Sequence, residues 1–211
     1  MAERLQVNPT RMELTKLKKR LFTAKRGHRL LKDKRDELMK KFLEIVRKNQ
    51  ALRFQMEELA VEAEREFAMA AALMSSQNME EALMLPSRSV AAQAASRNIM
   101  GVEVPVFTYT VESGSNDIYC YGFDSTSAEL DKAVADINSL LPVLLELAGT
   151  EKTAQLLAAE IEHTRRRVNA LEYVMIPQLE ATIQYITMKM EENERGNITR
   201  LMKVKEMVLT Q

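Results

Sequence analysis

Apolar residues recur at alternating steps of three and four along the first third of the chain. A period of 3.5 residues sustained over this length predicts one long helix that packs against a partner helix. Four polar residues, His28, Arg35, Asn49 and Glu66, interrupt the apolar stripe, and the first three are expected to set the register of the pairing rather than to bind a ligand. The apolar positions are Leu14, Leu17, Leu21, Ala24, Leu31, Leu38, Phe42, Ile45, Leu52, Met56, Leu59, Ala63, Ala70 and Leu73.

Capping signals mark the start of this first helix. Asn8 before Pro9 suits an N-cap followed by proline at the first helical position. Thr10 and Glu13 have the spacing of a capping box. The helix is predicted to end near Met84, just before a proline.

A second helical region is predicted after residue 126, where Thr126 and Glu129 form another capping box. Pro142 either kinks this helix or separates a short helix from a long one, and Gly149 adds to the second alternative, a break near 142–149. Further along, the three-four alternation gains an extra step of four beside Pro177, which is a stutter that locally unwinds a supercoil.

The segment between the two helices has a different character. Residues 86 to 101 are small and polar and predict a loop with a short helix. Residues 102 to 111 and 118 to 123 are rich in β-branched and aromatic residues, and the turn residues between them predict a β-hairpin over about 102–123. Pro105 predicts that the first strand lies at an edge.

The predicted fold class is mainly α: a long antiparallel two-helix coiled coil with a small β-hairpin and short helix at its distal end. The predicted domains are 1–85, 86–126 and 127–211. Helices with matched ends would pair residues whose numbers sum to roughly 212 to 219. This register places Lys25 and Arg26 near residues 190 to 195, Arg35 near Glu180, and Asn49 near Arg165.

Charge is distributed unevenly along the chain. Residues 1 to 53 hold 17 Lys and Arg against six Asp and Glu, and the remainder holds 13 against 24. Antiparallel pairing within one chain lets these charges neutralise one another, whereas a parallel homodimer stacks the basic segment on itself. A nucleic-acid-binding function through the basic helix is therefore disfavoured by the acidic second helix.

Enzymatic chemistry has little support in the sequence. It contains no glycine-rich phosphate loop, and its two histidines and the single Cys120 are not spaced as a metal site or a nucleophile–base pair. The expectation is a protein without catalytic residues, metal or cofactor. The longest nearly uncharged apolar stretch, residues 139 to 145, is too short to cross a bilayer, and a soluble intracellular protein is expected.

Two blocks of sequence resemble a known family. "NPTRMELTKLKKRL" followed by "AKRGHRLLKDKRDEL", and "TRRRVNALEYVMIPQLEATIQYI" followed by "EENERGNITRLMKVK", look like the signatures of the D subunit of the V-type and A-type rotary ATPases. The resemblance covers roughly residues 8 to 60 and 150 to 206. It implies a central shaft, the rotor stalk, that transmits torque between the catalytic head and the ion-translocating membrane ring.

The resemblance also implies partners and a location. The shaft would contact the catalytic and non-catalytic A and B subunits of the head, a small rotor protein called the F subunit, and a funnel-shaped subunit linking it to the membrane rotor ring. It would lie at the cytoplasmic side of the membrane as a peripheral protein, without nucleic acid and without direct membrane insertion. Any ATPase activity would belong to its partners.

Eleven residues are candidates for partner binding. Basic residues near the chain start would meet the head, the arginine run is either a solvated face or a contact, and the aromatic residues either cover the hairpin or form a docking surface. Pro177 is either a tolerated kink or a bend with a mechanical role. The candidates are Arg11, Lys18, Lys19, Arg165, Arg166, Arg167, Pro177, Phe107, Tyr109, Tyr119 and Tyr121. The alternative function is a static coiled-coil scaffold or a membrane-surface interaction protein.

Overall fold

The computed structural model describes residues 5–84, 88–113, 118–119, 121–122 and 126–209. The elements in chain order are α1 (Arg11–Leu73), α2 (Ser76–Leu83), β1 (Arg88–Ile99), β2 (Val102–Ser113), α3 (Ala128–Asn169), a π-helix (Ala170–Met175) and α4 (Ile176–Leu209). The predicted fold class is confirmed: long helices dominate, with a small two-stranded antiparallel hairpin. The chain forms two compact units, one of Met1–Glu37 with Ile161–Gln211 and the other of Leu38–Glu160.

Thr10 caps the start of α1. The Glu13 N–H donates to the Thr10 hydroxyl at 3.3 Å, and the Leu14 N–H donates to the Thr10 carbonyl at 3.0 Å. Asn8 is not the cap, because its carbonyl accepts from the Thr10 N–H at 2.8 Å in the turn before the helix. The capping-box threonine was correctly predicted, and the N-cap at Asn8 was wrong because the local turn uses its backbone instead.

In the first unit, α1 packs antiparallel against the end of α3, the π-helix and α4. Leu17 and Ala24 share a buried cluster with Leu179 and Ile186, and Ile186 is fully buried. Two side-chain contacts show the direction of the pairing: Lys25 forms an ion pair with Glu180 at 2.7 Å, and His28 Nε2 lies 3.4 Å from Glu172 Oε2. The partner numbers fall as the α1 numbers rise, which is antiparallel pairing.

The predicted register is wrong by about two to four helical turns. The Lys25–Glu180 pair has a residue-number sum of 205, below the predicted range. Lys25 therefore takes the position predicted for Arg35, whose guanidinium bonds the neighbouring Asp36 at 2.6 Å. Matching the helix ends was the wrong criterion, because burial of apolar side chains sets the register and α4 continues past the level of Arg11.

The stutter beside Pro177 coincides with the π-helix. The Ile176 N–H donates to the Leu171 carbonyl, five residues back instead of four. A π-turn adds one residue to the helix without adding a turn, so it shifts the phase of the apolar stripe where the sequence changes its step. Val168 before it and Leu179 after it are both buried.

In the second unit, α1 ends at Leu73, earlier than predicted, and Ser75 caps the short helix α2 by accepting from the Asn78 N–H at 3.2 Å. The buried cluster of this unit comprises Ala70, Ala82 and Leu130. Lys48 pairs with Glu146 at 2.5 Å. Since Ala70 packs near residue 130 and Lys48 near residue 146, this pairing is also antiparallel.

Of the two alternatives at Pro142, the structure excludes the break. α3 runs unbroken through Pro142 and Gly149, because a single proline removes one backbone donor without ending a long packed helix. It begins at Ala128, and the Thr126 hydroxyl donates to the Gly122 carbonyl at 3.0 Å rather than capping the helix. Asn49 and Arg165, the other predicted register pair, lie in different units, and their pairing stays a prediction.

The β-hairpin is real, but its first strand was missed. β1 covers the alanine-rich segment predicted as a loop with a short helix, and β2 is the strand predicted over 102 to 111. Met100 and Gly101 connect them with φ angles of 53° and 90°, the positive values that a tight hairpin turn requires. Methionine is an unusual residue there, so the turn left little signal. Ile118, Tyr119, Tyr121 and Gly122 are not in a strand, while Cys120 and Phe123 lie outside the described residues.

Gly149 lets the hairpin approach α3. A Cβ placed on Gly149 would lie 3.4 Å from Cδ2 of Phe107, an ordinary but close contact. We expect Gly149→Leu to displace the Phe107 ring and to speed hydrogen exchange of the Val104 and Val106 amides at least tenfold. Gly196→Leu is the matched control, because a Cβ there meets nothing within 4 Å. Equal exchange in both variants would contradict this role of Gly149.

Candidate functional surfaces

The exposed end of α4 forms an apolar surface in the first unit. By the register of the Lys25–Glu180 pair, residue 194 lies level with Arg11, yet α4 continues to Leu209. This C-terminal face consists of four apolar residues spaced three or four apart, with exposed fractions of 50 to 68%. They are Ile198, Leu201, Val204 and Val208. Apolar side chains this exposed on one helix face are typical of a protein contact.

Basic residues lie at the start of α1 in the same unit. Arg11, Lys18 and Lys19 are all exposed. Lys19 also lines a cavity of about 710 Å³ whose other side is formed by Leu171 and Met175. Lys19 thus lies beside an apolar groove, and all three basic residues, Arg11, Lys18 and Lys19, line a second surface cavity of about 730 Å³ together with Leu14 and Phe22.

The segment before α1 runs back along the helices. The Leu5 N–H donates to the buried Thr182 hydroxyl at 3.2 Å, and Thr182 donates in turn to the Gln178 carbonyl at 2.7 Å. Leu5 also lines the apolar groove. Leu5 thus lies on α4, and residues 5–10 do not extend α1 toward the C-terminal face.

The arginine run lies on one exposed part of α3. Arg166 forms an ion pair with Glu162 one turn earlier, and Arg165 and Arg167 are exposed. An exposed pair of this kind contributes about 0 to 1 kcal/mol. Neither the pair nor the exposure distinguishes a solvated face from a contact, so partner binding by this run stays a prediction.

The π-helix presents consecutive apolar residues to solvent. Tyr173 is 72% exposed, and Val174 and Met175 are about half exposed. Pro177 follows at a half-buried position beside buried Leu179. Sequence reasoning found the proline and the stutter but missed this surface, whose only signal was three apolar residues in a row outside the expected stripe.

The four aromatic candidates of the second unit have different environments. Phe107 and Tyr109 are on β2 and remain more than a third exposed. Tyr121 packs against the cluster of Ala70, Ala82 and Leu130, and its hydroxyl donates to Asp131 at 2.8 Å. Tyr119 lies beside it, with the ring centroids 6.0 Å apart. Phe107 and Tyr109 are thus the more accessible pair.

A further set of exposed apolar residues on the second unit was missed. Phe54 and Val61 are seven residues apart on α1, and Ile137 and Leu144 are seven apart on α3. Their spacing is visible in the sequence, but the stronger stripe beside it hid the signal. By composition alone, one stretch within Ala128–Val208, with a mean hydropathy of 1.3, could cross a membrane. Composition does not distinguish a membrane-spanning helix from a helix whose apolar face binds another protein.

One exposed ion pair on α4 shifts the pKa values of its members. Lys189 donates to Glu192 at 2.7 Å, and this hydrogen bond with the charge of Lys189 lowers the pKa of Glu192. The same contact raises the pKa of Lys189. These are the shifts of a solvent-facing pair one turn apart, and they leave Glu192 ionised at neutral pH. Among the described residues, no three His, Cys, Asp or Glu side chains are grouped to hold a metal ion.

These surfaces define a helical protein with several exposed apolar faces suited to binding other proteins. Residues 13–206 match the family described as the D subunit of ATP synthase. The chain is 62% identical over 208 residues to the V-type ATP synthase D subunit of Acetivibrio thermocellus, covering 98% of this chain and 94% of that protein. It is 58% identical to the protein of the same name from Clostridium novyi, over 97% of this chain and 96% of that protein. The chain belongs to the ATP synthase D-subunit family.

Proposed function

We propose that the chain is the central shaft of a V-type ATP synthase, transmitting torque between the catalytic head and the membrane ring. The observation that carries the proposal is the antiparallel pairing of long helices within each unit, in a chain that matches this family over nearly its full length. A shaft must resist twisting, and helices joined by buried apolar contacts provide that stiffness.

The exposed surfaces support a set of protein partners. The C-terminal face and the basic start of α1 enter the head formed by the A and B subunits. The small rotor F subunit and the funnel-shaped subunit bind elsewhere on the shaft. Apolar contacts suit a bearing because they are non-directional, and they therefore change little as the shaft turns. Directional ion pairs between shaft and head would favour one rotation angle of the shaft over the others.

The π-helix and Pro177 supply asymmetry in this proposal. A shaft that turns inside a ring of similar sites biases one site over the others only if it presents a different surface to each. Kinks and bends occur at prolines and at π-turns, and both features coincide here. The exposed Tyr173 lies on the same turn.

The chain has no catalytic role in this proposal. ATP hydrolysis and synthesis belong to the head, and ion selection belongs to the membrane ring. The shaft is a peripheral protein on the cytoplasmic side, held by its partners. Its exposed apolar faces bind protein rather than lipid.

A reversible cross-link distinguishes a turning shaft from a static scaffold. Leu201→Cys, in a chain whose native Cys120 is replaced by serine, carries a cleavable photo-cross-linker into the assembled enzyme. We expect illumination to abolish ATP-driven ion pumping in proportion to the fraction cross-linked to the head, and cleavage to restore it. Full pumping by the cross-linked enzyme would refute rotation. The same enzyme illuminated without the linker is the control.

A further inference from the structure

Among the described residues, no strand pairs with the outer edge of β1 in the second unit. The sheet that they form has two strands, β1 and β2, and residues 89 to 98 of β1 are all exposed. An open edge carries unpaired backbone N–H and C=O groups that can accept another strand. Which groups point outward follows from the pairing of the hairpin.

The two-residue turn identifies the pairing class of each residue. In a hairpin closed by a turn with two positive φ angles, the closing residues exchange both backbone hydrogen bonds, so Ile99 and Val102 form such a pair. Hydrogen-bonded and non-hydrogen-bonded pairs then alternate along the strands. The residues of β1 in non-hydrogen-bonded pairs point their N–H and C=O groups away from β2, and we call them the outward class. They are Val90, Ala92, Ala94, Ser96 and Asn98.

Two independent observations support this assignment. Pro105, which has no N–H, lies opposite Ser96, a pair in which no hydrogen bond between β1 and β2 is required. The hydroxyls of Thr108 and Thr110 lie 3.4 Å from the carbonyl oxygens of Gln93 and Ala91, which belong to the inward class. The β1 edge therefore presents its alternate groups to solvent.

The two edges of the hairpin differ in protection. The β2 edge contains Pro105, which blocks a strand, and its Phe107 lies against α3 at Gly149. The outward positions of β1 from Val90 to Ser96 carry no proline and no charge, the two common devices that prevent strand addition. Ala92 and Ala94 lie opposite Tyr109 and Phe107, so they leave room for larger side chains on an added strand.

We propose that β1 accepts an extended segment of a neighbouring protein of the assembly as a third strand. The segment has alternating apolar side chains and acidic residues, because β1 contains two arginines and no acidic residue. The same charge disfavours a second copy of this chain, since antiparallel pairing of β1 with itself would place Arg88 of one copy near Arg97 of the other at each end and set alanine against alanine. The identity of the neighbour as a component of a V-type ATPase rests on the proposed function.

Hydrogen exchange at single-residue resolution tests the strand directly. Assembled enzyme and isolated chain are pulsed in D₂O, quenched, and read by fragmentation that resolves individual amides. We expect the amides of Val90, Ala92, Ala94 and Ser96 to slow at least tenfold in the assembly, while those of Ala91, Gln93 and Ala95 are protected in both states. A contact on a sheet face would not give this alternation. Unchanged exchange of the outward amides in the assembly overturns the proposal.

A matched pair of proline variants provides a second test. Ala92 and Tyr109 lie opposite each other and both have outward N–H groups, so a proline at either position preserves the hydrogen bonds between β1 and β2. We expect Ala92→Pro to weaken association with the remaining subunits at least tenfold. Tyr109→Pro should have the same affinity for those subunits as Tyr109→Ala, because the β2 edge accepts no strand in this proposal. Equal weakening by both prolines overturns strand addition.

The outcomes also separate this proposal from the proposed function. A chain that does not assemble with V-type ATPase components at all refutes the function. Assembly with unprotected outward amides refutes only the added strand. Alternating protection in the isolated chain that grows with its concentration, together with dimers in gel filtration, would identify a second copy as the occupant and overturn the proposed one.

Discussion

Replacing three residues of the C-terminal face, as Ile198→Gln, Leu201→Gln and Val208→Gln, should lower the affinity of the shaft for the isolated catalytic head by about two to three orders of magnitude. Fully burying one such side chain stabilises by about 1.5 to 3 kcal/mol, and each 1.4 kcal/mol is about tenfold in affinity. Partial burial of three gives about 3 to 4 kcal/mol. Titration of labelled shaft with the head by fluorescence anisotropy measures the loss.

The fold should not change in this variant. The replaced side chains are half exposed or more and lie beyond the level of Arg11, so the melting temperature of the free chain should move by less than about 2 °C. Thr199→Gln with Lys203→Gln is the matched control on the opposite side of the same helix. Unaltered affinity of the triple variant, or equal loss in the control, would show that this face does not bind the head.

Deleting the exposed Gln184 should destabilise the first unit by more than about 4 kcal/mol, whereas deleting Tyr173 should be tolerated. The π-turn holds one residue without adding a turn, so losing Tyr173 together with the π-turn leaves the helix beyond it in phase. Gln184 lies in regular helix between Leu179 and Ile186, so its loss rotates one of these residues by about 100° relative to the other. One side of the cluster with Leu17 and Ala24 is then lost, and losing one buried side chain of this size costs about 2 to 5 kcal/mol. A fall in melting temperature of roughly 10 °C or more is the expected signal of the Gln184 deletion.

Two substitutions test whether the stability of the first unit depends on the number of residues at the π-helix or on their identity. Tyr173→Ala keeps the count and removes an exposed side chain, so stability should stay within about 0.5 kcal/mol. Pro177→Ala should keep the π-helix, because the buried residues on both sides demand the phase shift whichever residue follows it. A Tyr173 deletion that melts as early as the Gln184 deletion would show that the π-turn does not absorb the extra residue.

The long helices and their apolar stripe were predictable because they depend on local periodicity. Leu17, Leu38 and Ala63 were predicted in the stripe and are buried. Leu73, predicted at its end, is 67% exposed because α1 stops there. Periodicity identifies a face reliably inside a helix and poorly at its ends, where the chain changes direction.

The hairpin shows where local signals failed. The residues of β1 are mostly small and carry little strand preference, so they read as a loop. They form a strand because β2 and the turn at Met100 and Gly101 place them beside a strongly strand-forming segment. The candidate surfaces were predictable only in part, because the exposure of a side chain also depends on a distant segment, namely the helix that packs opposite it.

The sequence by itself determined the helical class, the antiparallel sense of the pairing and the place where the stripe changes phase. Those properties follow from spacing and charge along the chain. Only the tertiary structure decided the register, the π-turn that absorbs the phase change, and the apolar residues left exposed beyond Arg11. Register depends on the summed burial of side chains from two distant segments, and nothing in either segment alone specifies that sum.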